Sequence, residues 1–428
     1  METIRAYLER KHEELRLLDA CLRSPLHFAG PRSVDEVIKS KFQITAALRA
    51  EHALHDWKAT ETAWSHSRCP VSGPFAFRYD YQRADLEVRG PSFYAPEDVG
   101  ACETIYTSSG MAAISALLLA SAHAIGKADL LVLPGSYGET LELVRSYARH
   151  LRLIAVENPL DRALAASTSA RILLLDSCID ATAFEAILRC ASPALDLLVF
   201  DTTCFASRSG RIRRVLRWAR RRDIPVVMVR SHTKLDSLGA EYGRLGSAVF
   251  VRWDENAPRA GRARCERLPA ETRNAIRLLG GAALPAHFPP YVGTAAYHML
   301  TKKRVAAILR NGRRTARYFA SELAAWPAEL NFTHGLYVTL GATRFLDEAA
   351  ARRAAEDMSD DLSRKGFPIR HAGSFGFDFA ATEWFHNSAS DQYSVRVAIP
   401  DLPTALWDDL STAIARWWAT HQLELVEG

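Results

Sequence analysis

Lysine is the scarce residue of this chain: nine of its 54 basic residues are lysine, so arginine carries nearly all of the positive charge and each lysine has to be accounted for by itself. Closely spaced cysteine pairs are missing too. The seven cysteines (Cys21, Cys69, Cys102, Cys178, Cys190, Cys204 and Cys265) are scattered, odd in number and without a C-x-x-C, which excludes a zinc ribbon or a dithiol redox motif and predicts no metal and a reducing cytoplasm. No apolar run reaches the roughly 18 residues of a membrane span. The first residues, METIRAYLERKHEELRLL, lack the apolar core of a secretory signal. Charge of one sign is not gathered in one tail: 54 basic and 49 acidic residues give +5 overall, which argues against a nucleic-acid partner. Internal repeats and low-complexity tracts are absent as well.

What remains is an ordinary globular composition, 48% apolar and 24% charged, over 428 residues, enough for more than one domain. Residues 1–60 read as a helical N-terminal arm, with Ile4, Tyr7, Leu8, Leu15 and Leu18 at helical spacing. From about 70 to 100 the chain is punctuated by Pro70, Gly73, Pro74, Gly90, Pro91 and Pro96 and reads as loop. Beyond Glu103, short apolar runs (TIYTSS, DLLVLP, LRLIAV, ARILLLDS, LDLLVFD, IPVVMVRS, GSAVFVR) alternate with helical patterns. Strands apolar on both faces and separated by helices predict an α/β fold with a mainly parallel sheet of about seven strands within a large domain, residues 61–300. The texture of 301–428 predicts a smaller C-terminal α+β domain, with strands LYVTL and YSVRVAI. The arginine-rich RIRRVLRWARRRD carries Ile212, Val215, Leu216 and Ala219 at helical spacing, so its arginines read as the wet face of a surface helix.

Three strand ends carry unexpected residues, and ligands of such sheets bind at the carboxyl ends of strands. TIYTSS runs into Ser109, Gly110 and Met111 at a helix start, where free backbone N–H groups suit a phosphate; alone, the serine reads equally well as a helix cap. LDLLVFD ends at Asp201, which by itself reads as a cap or turn former. IPVVMVRS runs into Ser231, Thr233 and Lys234. A lysine behind a buried strand is costly unless paired, and burial moves it toward nucleophilic reactivity, although a stem that carries the charge back to water is the alternative. Together the three elements match one cofactor, pyridoxal 5′-phosphate, which needs a lysine for its aldehyde, a carboxylate for its ring nitrogen and donors for its phosphate.

At these residues the sequence resembles the fold-type I pyridoxal phosphate enzymes, and within them the cystathionine gamma-synthase and gamma-lyase family of Cys/Met metabolism. YTSSGMAAI (106–114) is similar to its phosphate loop, LPGSYGET (133–140) to the segment whose tyrosine stacks on the ring, VFDTTCFAS (199–207) to its aspartate strand and SHTK (231–234) to its lysine motif. The resemblance implies that Tyr137 stacks on the cofactor and shares proton transfer with Lys234. It implies that Tyr81 and Arg83, in YQR, reach the phosphate of a neighbouring subunit, so that the protein is a homodimer or homotetramer with shared active sites. It also implies that Arg396, in SVRVAIPD, grips the α-carboxylate of a small amino-acid substrate and that Ser374, in SFGF, belongs to a substrate loop.

The chain departs from the family pattern after the lysine. Where relatives have an aromatic residue and then a Gly-His-Ser-Asp stretch, this sequence reads LDSLGAEYGRLGS, with Glu241, Tyr242 and Arg244. The resemblance therefore implies a carbon–heteroatom lyase or transferase, eliminating or replacing a group at Cγ or Cβ. The altered stretch admits a non-standard amino acid of specialised metabolism, such as a halogenated one. An aminotransferase or an aldolase-type enzyme is the alternative. A non-enzymatic regulator fits less well, because no helix-turn-helix module precedes the core and both the lysine and the aspartate are present.

Overall fold

A computed structural model describes residues 1–58, 73–78, 87–94, 102–156, 169–179, 181–190, 194–251, 253, 265–322, 335–342, 346–387 and 392–421. The chain divides into two compact units, one made of Arg49–Asp236 and Tyr242–Gly293, the other of Met1–Leu48, Ser237–Glu241 and Thr294–Gly428.

The first unit holds a short antiparallel pair, β1 (Ala76–Arg78) and β2 (Glu87–Arg89), and a seven-stranded sheet. The strands of that sheet are β3 (Cys102–Thr107), β4 (Ala128–Val132), β5 (Leu151–Ala155), β6 (Ala170–Leu175), β7 (Leu197–Asp201), β8 (Val226–Ser231) and β9 (Gly246–Val251), in the order β3-β9-β8-β7-β6-β4-β5. From β8 to β5 every pairing is parallel. β9 runs against both β8 and β3, so β3 points the same way as β8. This is the mainly parallel sheet that the alternation of apolar runs and helices predicts.

Alternate side chains of each strand enter opposite cores. Leu173, Leu175, Leu198, Phe200 and Met228 meet Phe184 and Ile187 of the helix Ala181–Arg189 and Ile212, Val215 and Leu216 of the helix Gly210–Arg220. On the other face Ile172, Leu174, Val199, Val227 and Val229 meet Ile114 and Leu117 of the helix Gly110–Ala124, Leu141 and Val144 of Gly138–Tyr147, and Leu268 and Ile276 of Leu268–Leu279. Each such side chain contributes about 1.5–3 kcal/mol when fully buried, which is why the strands are apolar on both sides. The arginine-rich stretch is a helix as read: Ser209 caps it through the Arg211 amide, and Ile212, Val215, Leu216 and Ala219 are buried.

The second unit contains β10 (Tyr337–Leu340), β11 (Ile369–His371), β12 (Ala380–Asn387) and β13 (Gln392–Ala398), in the order β10-β13-β12-β11. The sequence announces only β10 and β13; β11 is three residues long, and β12 (AATEWFHN) mixes charge with aromatics in no clear alternation. The helices Ala295–Glu322, Glu348–Arg364 and Thr404–His421 belong to this unit, and Trp407, fully buried, donates its indole N–H to Thr315 Oγ1 at 2.7 Å.

The N-terminal segment is not one helical run. The helices Ile4–Asp19 and Val34–Lys58 are separated by residues 20–33, where Pro25, Gly30 and Pro31 interrupt the pattern. Thr3 caps the first by accepting the Ala6 amide. Arg10, Lys11 and Glu14 on this helix are buried. Lys11 Nζ, fully buried, lies 2.7 Å from Asp401 Oδ2 and 3.1 Å from Glu14 Oε2 and also donates to Asp378. Arg10 Nη1 reaches Asp401 at 2.5 Å, and Arg304 Nη1 reaches Asp378 at 2.7 Å. Buried charges survive only when paired in this way.

Candidate active site

β3, β4, β6, β7 and β8 share one direction, and the residues at their carboxyl ends form a continuous hydrogen-bonded edge. At the end of β4 the chain turns through Gly135 (φ 82°) to Tyr137, whose amide donates to Asp176 Oδ2 at 2.8 Å. Asp176 follows β6 and also accepts the Cys178 amide at 2.7 Å. Ser177 Oγ accepts the Cys204 amide from the turn after β7 at 3.0 Å, and Thr203 Oγ1 of that turn accepts the Ser231 amide of β8 at 3.0 Å. Ser231 in turn backs onto Gly110, where an added Cβ would stand 2.8 Å from Ser231 Cβ.

Gly246 makes that approach possible. It opens β9 between Thr107 of β3 and Ser231 of β8, and a side chain there would run into the Ser109 carbonyl and, at 2.6 Å, the Gly110 nitrogen. The turn Ser109–Gly110 therefore lies directly on Gly246. The Ser109 hydroxyl accepts the Ala112 amide at 3.0 Å, so the helix-cap reading is realised; its own proton remains for a second partner. The helix that starts at Gly110 aims its first amides, and its positive end, along this edge. Ser231 Oγ and Thr233 Oγ1 lie 3.0 Å apart, adding two hydroxyls beside those amides.

Two carboxyls face this edge. Asp201 accepts the Thr203 amide at 2.7 Å, yet burial, and then the nearby charge of Asp176, push its carboxyl up to about 7. A carboxyl so placed is short of a positive partner. Sequence reading singled out Asp201 and missed Asp176, because ILLLDS carries an aspartate at a strand end without a second unusual residue beside it.

The segment bearing Lys234 is closed by a second feature that the sequence did not announce. Arg230, the penultimate residue of β8, binds Asp236 with two parallel contacts, Nε to Oδ2 at 2.7 Å and Nη2 to Oδ1 at 2.8 Å. Its Nη1 donates to the carbonyls of Thr202 and Phe205. His232 bridges Asp236 Oδ2 and Ser247 Oγ, both at 2.8 Å, and stacks on Phe93 with ring centres 3.8 Å apart. Burial lowers the His232 pKa, which keeps the ring neutral, while Arg230 and His232 hold Asp236 far below the usual carboxylate range against the opposing effect of its own burial. Residues 232–235 are thus a loop tied at both ends, with Lys234 half-buried within it.

Ser109, Gly110, Met111, Tyr137, Asp201, Ser231, Thr233 and Lys234 all belong to this unit and to this end of its sheet. Arg396 and Ser374 belong to the other unit. There Arg396 of β13, 9% exposed, lays its guanidinium over Phe385 at 3.0 Å and beside Tyr337 at 5.6 Å, and among the described residues its Nε has no hydrogen-bond partner. Tyr81 and Arg83 lie outside the described residues. The donor set fits pyridoxal phosphate on chemical grounds: helix-start amides and hydroxyls for a phosphate, a carboxyl in need of a cation for the ring nitrogen, and an amine for the aldehyde.

No protein-family model matches the sequence, and no curated protein matches it. Solved structures do. A cystathionine gamma synthase from Xanthomonas oryzae pv. oryzae, in complex with aminoacrylate and cysteine, superposes with a TM-score of 0.52 at 20% identity over 88% of this chain and 99% of its own. The same enzyme in complex with cystathionine gives 0.51 at 19% over the same shares. A Campylobacter jejuni protein assigned as an O-acetylhomoserine (thiol)-lyase, carrying N′-pyridoxyl-lysine-5′-monophosphate, gives 0.51 at 15% over 76% of this chain and 84% of its own. The likeness is one of fold, and the chain has the fold-type I architecture of these enzymes.

Proposed function

We propose that the chain is a pyridoxal 5′-phosphate-dependent lyase or transferase that eliminates or replaces a group at Cγ or Cβ of an amino acid. The observation that carries the reading is the assembly of Ser109–Met111, Asp201 and the tied Lys234 loop on one sheet edge. The similar structures, two of a cystathionine gamma synthase and one of a protein assigned as an O-acetylhomoserine (thiol)-lyase, suggest the reaction class. Pyridoxal phosphate, when bound, supplies an electron sink for charge developing at the substrate α-carbon.

The chain's own residues do the rest. Ser109, Gly110, Met111, Ser231 and Thr233 hold the phosphate, joined by Tyr81 and Arg83 from a neighbouring subunit of a homodimer or homotetramer. Asp201, as a carboxylate, fixes the proton on the ring nitrogen. Tyr137 stacks on the ring and lends its hydroxyl to proton transfer. The Lys234 amine takes the proton from the α-carbon and returns it where the leaving group departs. Arg396 receives the substrate carboxylate on a fork already flattened against Phe385, and Ser374 lines the substrate loop. Seven scattered cysteines without a C-x-x-C fit a cytoplasmic protein.

Purified protein mixed with pyridoxal phosphate should turn yellow, and borohydride should fix the label on Lys234. Lys234→Ala should abolish turnover of β- or γ-substituted amino acids. Release of ammonia and a keto acid without any amino acceptor separates elimination from transamination. A protein that stays colourless, or one that reacts only when an acceptor is supplied, removes the reading.

A further inference from the structure

Five residues behind the active-site lysine have an unusual setting. Ser237–Glu241 starts three residues after Lys234 and belongs to the second unit, although the chain on both sides of it belongs to the first. Three of the five are left-handed: Leu238 (φ 53°), Gly239 (φ 76°) and Glu241 (φ 44°). Leucine and glutamate adopt this conformation only where surrounding structure enforces it.

The enforcing groups come from the second N-terminal helix. Lys41, 3% exposed, donates to the Leu238 carbonyl and lies 2.8 Å from Glu14 Oε2. One turn further on, Thr45 Oγ1 stands 2.5 Å from the Ala240 carbonyl and 2.7 Å from that of Lys41. Between these two anchors Gly239 rests on the buried ion network: a Cβ there would lie 2.7 Å from both Arg304 Nη2 and Asp378 Oδ2. The carbonyls of Leu238 and Ala240, either side of Gly239 in a strained turn, are thus held by side chains four apart on one helix face, one of them a buried cation that an idle turn would not require.

We propose that the helix Val34–Lys58 is a positioning element of the active site: Lys41 and Thr45 fix the backbone that follows Lys234, and through it the pose of the lysine amine. The inference rests on the role of Lys234 given above. A lysine stem is flexible, so its amine is only as well placed as its backbone; the Arg230–Asp236 pair ties that backbone around the lysine, and Lys41 with Thr45 ties it immediately downstream.

The test uses the full chain and three variants. Thr45→Val removes one anchor and leaves every charge in place, Thr45→Ser keeps the hydroxyl, and Lys41→Met removes the second anchor. Without cofactor, amide exchange at residues 238–242 should rise about tenfold in Thr45→Val and return to wild type in Thr45→Ser. With pyridoxal phosphate, the pH midpoint of the visible band should move by about half a unit or more in Thr45→Val and not in Thr45→Ser. If Lys41→Met folds, it should show both effects more strongly; Thr45→Val decides the matter if it does not. A lower melting temperature with exchange and midpoint unmoved would mean a purely structural helix and overturn the proposal. A wild type that stays colourless overturns this inference and the active-site reading together, whereas a yellow wild type with an unmoved variant overturns this one alone.

Discussion

Asp201 holds its proton to about pH 7 because burial and Asp176 oppose its charge, and this has a direction in pH. Below the ordinary carboxylate range both the folded and the unfolded chain carry the proton. Between about pH 4 and 7 the unfolded chain has lost it and the folded chain has not, so folding stability falls as pH rises through that window and levels off above it. For a partly exposed group the loss is on the order of 1–3 kcal/mol. Urea unfolding of the cofactor-free protein across this range should show the decline, and Asp201→Asn should flatten it; an unchanged slope would mean that Asp201 is solvated. At this scale the sequence was half legible. Asp201 and Lys234 stand out as polar residues ending apolar runs, whereas Arg230 and Asp236 are six apart with no periodic signature, and their pairing exists only once the loop has closed.

Among the elements, β9 has the most to explain. Its reversed direction is invisible in GSAVFV, which reads like any other buried strand, because burial sets composition and says nothing of direction. β11 and β12 were missed for the opposite reason, one too short and the other too mixed to show a period of two. The N-terminal helices were visible as helices, but nothing local marks Arg10, Lys11 and Glu14 as buried, because their partners Arg304, Asp378 and Asp401 lie hundreds of positions away in sequence. Gly246 gives the testable consequence. Gly246→Ala should displace the Ser109–Gly110 turn and weaken pyridoxal phosphate binding by about tenfold or more, equivalent to about 1.4 kcal/mol. Equilibrium titration of the cofactor reads this directly, and an unchanged dissociation constant would detach the turn from the phosphate. Removing one partner of the Arg230–Asp236 pair should cost more, about 3–5 kcal/mol of stability, since it strands a buried charge.

For the whole molecule, the proposed sharing of sites between subunits makes a numerical prediction. In a verified mixed dimer of Arg83→Ala and Lys234→Ala subunits, one of the two sites regains both residues and the other loses both, so activity should return to about half that of the wild type. Mixed dimers that stay inactive would confine each site to a single chain. One consequence of β9 concerns how the molecule is made. Among the described residues β3 is bonded within the sheet only to β9, through a ladder from Cys102↔Val251 to Thr107↔Gly246. During synthesis β3 therefore waits, unpaired at its edge, while β4 to β8 emerge and assemble. The Ser109–Gly110 turn has nothing to close on until Gly246, and with it the loop carrying Lys234, has left the ribosome, so under the proposed function a half-made chain has no complete pocket and cofactor capture waits for Lys234.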